Sequence, residues 1–525
     1  DRFSFRSNFE ANVNPWLTVG FNFAPMLDNT GVLANSESTN TEYNPLVAAA
    51  FHAPIFPTHN EDGSLFYTGQ ELDSPWDWNV AFMVNPLHHL AIQDNRRTAR
   101  VTSKVYCDVK FFEGLLLRTA FHHDYRDRNR EYFLPSYVPA SPTNPTSRNR
   151  GINERSTRGL WDLQSFLNFS KSIRDHSISA MAGVSLEETT YNSNYLNKYD
   201  YPHNLLTTLN QATTVLNQQN DVRTNKSSES MVGTFARASY NYKSKYYVTG
   251  SIRRDGSSKF GPENRWAIFP SFSVAWRISD ERFMSVFSSF LSDWKLRSGW
   301  GKIGNSGISN YLYASTLAAS SYLFDRGSEI APAYYNNKIS NDQLGWETTS
   351  DFGIGTDVGF FEGRVNLTVD YFDRTTNDML FSLPLPATTG FSSVVSNLGS
   401  MKNRGFEYLV NTRNLVGKFN WSTTATLSYY RNYVTDIGND KRPIIDNLGY
   451  TTEGRPIANL WGMLMLGPYR DWEDVKSSPI FNASRPTARQ RSYPGSPKAA
   501  DVKGDGVLDA NDKTVLGTPT PDFIW

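Results

Sequence analysis

The chain has a single cysteine, Cys107, in 525 residues. It can form no internal disulfide, and a cysteine-built metal centre is excluded. Net charge is also lacking. Lys and Arg number 52, as do Asp and Glu, so no excess charge draws the chain to nucleic acid or to an acidic surface. No apolar run approaches the roughly 18 residues that a membrane-spanning helix requires. The sequence has no H-E-x-x-H, no nucleophile elbow and no spaced carboxylate pair, and it reads as a non-enzyme that requires no cofactor. Gly299-Trp300-Gly301-Lys302-Ile303-Gly304 satisfies G-x-G-x-x-G, but it lies inside an alternating strand with no following helix to meet a pyrophosphate. His122 and His123 are neighbours on a strand and so point to opposite faces, which forbids chelation of one ion by the pair. His88-His89 has no partner at ligand spacing.

What the chain has is aromatic residues and alternation. Aromatics make up 14% of it, with 27 Tyr and 33 Phe. From Trp266, the residues Trp266, Ile268, Pro270, Phe272, Val274, Trp276 and Ile278 form one face, opposed by Ala267, Phe269, Ser271, Ser273, Ala275 and Arg277. Tyr246, Val248, Gly250 and Ile252 precede it with the same rhythm, and Trp294, Leu296 and Trp300 follow. Period-2 patterning marks strands with one apolar face. Soluble strands are usually about 5–6 residues long, whereas these approach the roughly 9–11 needed to cross a bilayer at a tilt. Trp and Tyr gather toward the ends of the apolar face, as in membrane-interface girdles.

The connections alternate between very short and very long. Turns are expected near Asn14, Glu113, Arg174, Ser244, Glu362 and Gly417. Long polar segments are expected over 28–95, 127–158, 191–229, 306–345 and 436–516. About 14 strands are expected, with one or two more after Leu460. A transmembrane antiparallel β-barrel puts its short turns on the periplasmic side and its long loops outside. A soluble sandwich has no reason to place every long loop at one end. The fold class is therefore all-β, a transmembrane barrel.

The stretch RRDGSSKFGPENRWAIFPSFSVAWRIS from Arg253, then FM, then WKLRSGWGKIGN from Trp294, resembles the barrel signature of the SusC/RagA-like TonB-dependent outer-membrane transporters of Bacteroidota. Weaker echoes run from about Arg2 to Trp525. The resemblance implies uptake of oligosaccharides or peptides across the outer membrane, with a SusD-like lipoprotein as lid, TonB as energy source and dimers of transporter–lid pairs. It also implies that residues 1–525 are part of a larger plugged barrel, which would close at about 22 strands. A signal peptide, TonB box and plug are then expected before Asp1, and further hairpins after Trp525. A siderophore or cobalamin receptor, a passive porin and an adhesive surface barrel stay open as alternatives. Lumen-facing Arg253, Arg254, Lys295 and Arg297 are expected to meet plug carboxylates.

Two groups of site residues follow. Asp501, Asp505, Val507, Asp509 and Asp512 fall at positions 1, 5, 7, 9 and 12 of a calcium-loop spacing, with Gly506 at position 6. Lys503 stands where Asp or Asn is usual, and Asp512 is shorter than the usual Glu. The same residues also suit an Asp/Gly turn held by side-chain-to-backbone bonds. Trp76, Trp78, Tyr322, Tyr334 and Tyr335 are aromatics in polar loops. Their faces suit sugar rings or peptides, and also the packing of loops on each other.

Overall fold

The computed structural model describes residues 1–32, 45–51, 57–66, 85–138, 148–216, 221–324, 329–438, 441–446, 448–481, 493–519 and 521. The chain divides into two compact units, Asp1–Asn168 with Gly183–Gly233, and Phe169–Ala182 with Thr234–Trp525.

The first unit is an antiparallel meander of β1 (Arg2–Ser4), β2 (Ser7–Asn14), β3 (Leu17–Gly31), β4 (Gln93–Phe112) and β5 (Leu115–Leu134), with most of β6 (Arg150–Ile173), β7 (His176–Tyr199) and the start of β8 (Val222–Tyr242). β1 and β2 both pair with β3, and β3 continues to β4 and β5. The turns fall where the sequence places them, at Pro15-Trp16, Glu113-Gly114 and Arg174-Asp175.

The outer ends differ from expectation. β5 runs on to Leu134 and β6 starts at Arg150, so both ends of the loop expected over 127–158 are strand. The loop expected over 191–229 shrinks to 200–221. These outer stretches are mostly polar on both faces, so the apolar rhythm stops while the ladder continues. Charge pairs across strands replace apolar contacts there. Asp94 takes Arg130 of the next strand at 2.9 Å, and Arg96 of its own strand at 3.1 Å, Arg100 pairs with Asp124, and Arg155 pairs with Asp127 at 2.7 Å. A strand of 24 residues is on the order of 80 Å long, well beyond what a hydrocarbon core of about 30 Å can cover even at a 45° tilt. At this end Ile92, Tyr132, Val138 and Ile152 form a small core. Inside the segment expected as loop over 28–95 lie two short helices, α1 (Pro45–Phe51) and α2 (Pro86–Leu90).

The second unit continues as β9 (Tyr246–Ser257), β10 (Trp266–Arg277), β11 (Leu291–Asn305), then the hairpin β12 (Thr316–Phe324) and β13 (Glu329–Lys338), followed by β14 (Glu347–Phe360), β15 (Val365–Asn377), the hairpin β16 (Leu380–Pro384) and β17 (Ser393–Asn397), β18 (Ser400–Leu415) and β19 (Trp421–Asp436). The long strands pair in the order β9–β10–β11–β14–β15–β18–β19. The β16–β17 hairpin lies in a stretch to which the patterning assigned nothing. Among the described residues the strands expected after Leu460 are present only as short ones outside the long ladder. Residues 444–517 hold short pieces, including a four-stranded sheet of Ile444–Asp446, Gly449–Thr451, Asn459–Met463 and Lys513–Gly517.

Partner residues in a ladder share one face. One row runs Val248, Val274, Ser298, Ile354, Tyr371, Phe406, Tyr429 across seven strands. Val248, Val274, Ile354, Phe406 and Tyr429 of this row are exposed and Tyr371 is half-buried, and Trp266, Ile268, Phe272 and Trp300 are exposed as well. This is the apolar face that the alternation marked, and its exposure is that of a surface turned to lipid. Among the described residues no helix is long and apolar enough to cross a membrane.

Candidate functional site

The opposite face of the second unit builds a concave wall. Its central row is Tyr247, Ala275, Arg297, Gly355, Asp370 and Glu407. The next row, Thr249, Ser273, Gly299, Gly353, Phe372 and Gly405, is mostly small or hydroxylated. The small residues leave a space of about 960 Å³ in front of the wall. The G-x-G-x-x-G glycines therefore lie within β11, and Gly304 lets the Phe269 ring approach, since a Cβ there would lie 2.1 Å from its Cζ.

The charges on this wall are largely matched within it. Arg297 makes a bidentate pair with Asp370, at 2.7 and 2.8 Å, and also donates to Asp357 at 3.2 Å. Arg374 pairs with Asp351 at 3.0 Å and Arg253 with Asp255 at 2.7 Å. Lys295 lies over the Tyr247 ring at 5.4 Å. Expectation needs one correction. Arg254 is not on this wall, because its ladder partner is the exposed Ile268 and its guanidinium stacks on Trp266 at 4.6 Å. Adjacent strand residues cannot share a face, so Arg253 points inward and Arg254 outward.

Of the loop aromatics, Trp76 and Trp78 lie outside the described residues. Tyr322, Tyr334 and Tyr335 all sit on the β12–β13 hairpin and all are exposed. The register places Tyr322 opposite Ala331 and Tyr335 opposite Ala318, which puts these two tyrosines on one face. Tyr334, opposite Ala319, is on the other.

The aspartate-rich loop closes on itself. Asp501 accepts the Gly504 N–H at 2.6 Å and the Gly506 N–H at 2.8 Å. Asp505 accepts from Val507 N–H at 3.0 Å and lies 3.5 Å from the Lys503 ammonium. Asp509 and Asp512 form a reciprocal capping box. Asp512 is fully buried and takes N–H groups from Asp509 at 2.8 Å and Lys503 at 3.2 Å. Those bonds, the Asp509 N–H foremost, hold its carboxyl below the ordinary value. Val507 belongs to a short parallel ladder with Ile480–Phe481. Among the described residues no three His, Cys, Asp or Glu are grouped as a metal site needs.

His122 and His123 take opposite faces, His123 stacking on the exposed Tyr125 at 6.4 Å. His88 and His89 are buried in α2, and burial holds the His88 imidazole below its usual pKa.

Part of the stretch that carries the resemblance packs into a buried cluster with Leu344 and Trp346. Phe260 and Leu344 are fully buried, and Trp346 is met by Phe260 at 5.1 Å and Phe269 at 5.4 Å. Trp346 Nε1–H donates to the Arg265 carbonyl at 2.9 Å. Sequence reasoning missed this cluster as a unit because Phe260 and Trp346 are far apart in the chain.

The profile of the family described as TonB dependent receptor-like, beta-barrel matches residues 14–501. TonB-dependent receptor P3 of Formosa agariphila is 28% identical over 540 residues, covering 100% of this chain and 51% of its own length. TonB-dependent receptor SusC of Bacteroides thetaiotaomicron is 29% identical over 311 residues, covering 56% of this chain and 29% of its own. The solved structure described as the RagAB peptide transporter superposes with a TM-score of 0.79 at 22% identity, over 99% of this chain and 55% of that one. The chain thus spans about half the length of the curated relatives that it matches over its full extent. It belongs to the TonB-dependent receptor-like β-barrel family.

Proposed function

We propose that the receptor containing this chain sits in the outer membrane as a multi-pass barrel and imports oligosaccharides or peptides with energy from TonB. It binds and moves its substrate without chemical change. A SusD-like lipoprotein closes over the long-loop end, and transporter–lid pairs associate as dimers. Family membership over residues 14–501 carries this reading. The relative named SusC and the fold likeness to a structure described as a peptide transporter point the same way.

The wall chemistry is consistent with passage. Hydroxyls, glycines and internally paired charges offer polar contacts while leaving little unmatched charge to trap a substrate. The aromatic face of Tyr322 and Tyr335 supplies a surface of the kind that sugar rings or peptide side chains stack on.

The test is deletion of the gene in its source bacterium, with uptake of labelled oligosaccharides and peptides followed in cells with and without TonB. Deletion should abolish uptake of one substrate class in cells with TonB, and cells that keep the gene but lack TonB should show the same loss. Unchanged uptake of every substrate, or uptake that persists without TonB, overturns the proposal.

A further inference from the structure

The connection between β10 and β11 is unlike its neighbours. The other described turns at this end of the second unit are tight, whereas residues 278–290 form two 3₁₀ segments, Ile278–Asp280 and Arg282–Phe287. Met284 is buried against the fold, but Phe283, Val286, Phe287 and Phe290 are exposed, Val286 at 80%. Four large apolar side chains within eight residues form a patch of the kind that needs an occupant.

The surroundings say which occupant. The Glu281 carboxylate accepts from the Tyr246 hydroxyl at 2.5 Å and the Trp276 indole N–H at 3.2 Å, and lies 3.5 Å from the Lys245 ammonium. Tyr246 and Trp276 are ladder partners in the row that also holds the exposed Leu296, on the lipid-turned face. They stack at 6.4 Å. Tyr242 stacks on Tyr246 at 6.3 Å, and His176 lies 4.8 Å from Tyr242. This is an aromatic girdle with polar atoms facing one way, as at a bilayer interface. The 3₁₀ connection is tied directly to it through Glu281. Its exposed apolar side chains thus lie next to the lipid-turned row, with exposed Arg282 beside them.

We propose that Arg282–Phe290 is an interfacial anchor, lying in the phospholipid leaflet on the short-turn side with Phe283, Val286 and Phe287 among the upper acyl chains. Glu281 fixes its entry angle through Tyr246 and Trp276. The anchor sets the depth and tilt of β10 and β11, the strands that carry Arg297 and the concave wall. This inference rests on the membrane reading of the family.

The test uses the full-length receptor with Cys107→Ser, reconstituted in vesicles of phosphatidylethanolamine and phosphatidylglycerol. A fluorescent probe is attached separately through Val286→Cys, Phe283→Cys, Phe272→Cys and Glu362→Cys. Lipids carrying a nitroxide near the headgroup end of the acyl chain should quench the Val286 and Phe283 probes several-fold more than aqueous iodide does. The Glu362 probe, on the neighbouring turn, should show the reverse preference. Iodide quenching of Val286 and Phe283 equal to that of Glu362, with Phe272 still quenched by lipid, overturns the anchor. Loss of lipid quenching at Phe272 would instead overturn the membrane reading beneath it.

Discussion

Arg297 and Asp370 form a bidentate ion pair across an entire intervening strand, and they do so over Gly355. Arg297 is on β11, Gly355 directly opposite on β14, and Asp370 opposite that on β15. A Cβ on Gly355 would lie 2.1 Å from the Asp370 Oδ1 and 2.9 Å from the Arg297 guanidinium carbon. The same device recurs in the first unit, where Tyr106 reaches over Gly20 to Glu10. Gly355→Ala must therefore part the ion pair or shift a strand. We expect it to destabilise the barrel by about 1–3 kcal/mol, read by denaturant unfolding in vesicles. In an Asp370→Ala background the cost of Gly355→Ala should fall, because the group it strikes is gone. Equal costs in both backgrounds would show that the clash lies elsewhere.

The tyrosine pair makes a directional prediction. Tyr322 and Tyr335 share one face of the β12–β13 hairpin and Tyr334 takes the other. If the shared face contacts substrate, Tyr322→Ala and Tyr335→Ala should each weaken binding by about 1 kcal/mol, roughly fivefold, while Tyr334→Ala leaves it nearly unchanged. Calorimetry of the full receptor with the imported oligosaccharide or peptide checks this. A loss confined to Tyr334→Ala would reassign the binding face.

The legible parts of this fold are those where one face of a strand is apolar. Trp266 to Trp276 alternates so clearly that its apolar face follows from it, and the structure leaves that face exposed. The turns were legible for a related reason, since Glu113-Gly114 and Lys243–Lys245 interrupt two alternating runs. Where both faces are polar the signal vanishes although the ladder does not. Arg126 to Glu131 carries no apolar period, and the ladder to β4 with the Asp94–Arg130 and Arg155–Asp127 pairs keeps it extended. The concave wall was less legible still. Glycine in a strand reads as weakness, and its use as a gap for Arg297 and Asp370 needs three strands aligned at once.

The Asp501–Asp512 loop separates two behaviours by calorimetry. Its carboxylates are occupied by its own N–H groups and by Lys503, and among the described residues no three acidic groups are arranged as a metal site needs. We expect calcium to give no binding heat and chelator to leave the unfolding temperature unchanged. Acid should act instead. The folded-state pKa of Asp512 is depressed, so its contribution is present above the ordinary carboxylate value and is lost as pH falls through the lower folded one. Asp512→Asn should remove that acid-dependent step, seen as loss of amide-exchange protection at Lys503 and Asp509. Saturable calcium heat that vanishes in Asp501→Asn would establish a metal site.

Sidedness can be checked on intact cells, because basic residues lie at both ends of the strands. Lys243 and Lys245 occupy a tight turn and Arg364 follows another, while Lys441 and Arg455 lie in the segment after β19. Short turns of outer-membrane barrels face the periplasm, out of reach of an added protease. The turns here are also tied to one another by backbone bonds. Lys243 N–H donates to Asp175 at 2.7 Å, Arg277 to Lys245 at 2.8 Å, and Arg413 to Arg364 at 2.7 Å. Trypsin added to whole cells should therefore cut near Lys441 and spare Lys243, Lys245 and Arg364, while the Arg455–Pro456 bond resists it. After the outer membrane is opened those turns should still be cut slowly, because cleavage requires a bonded rim to fray. Early cleavage at Lys243 on intact cells would invert the orientation, placing the aromatic girdle and its anchor in the outer leaflet.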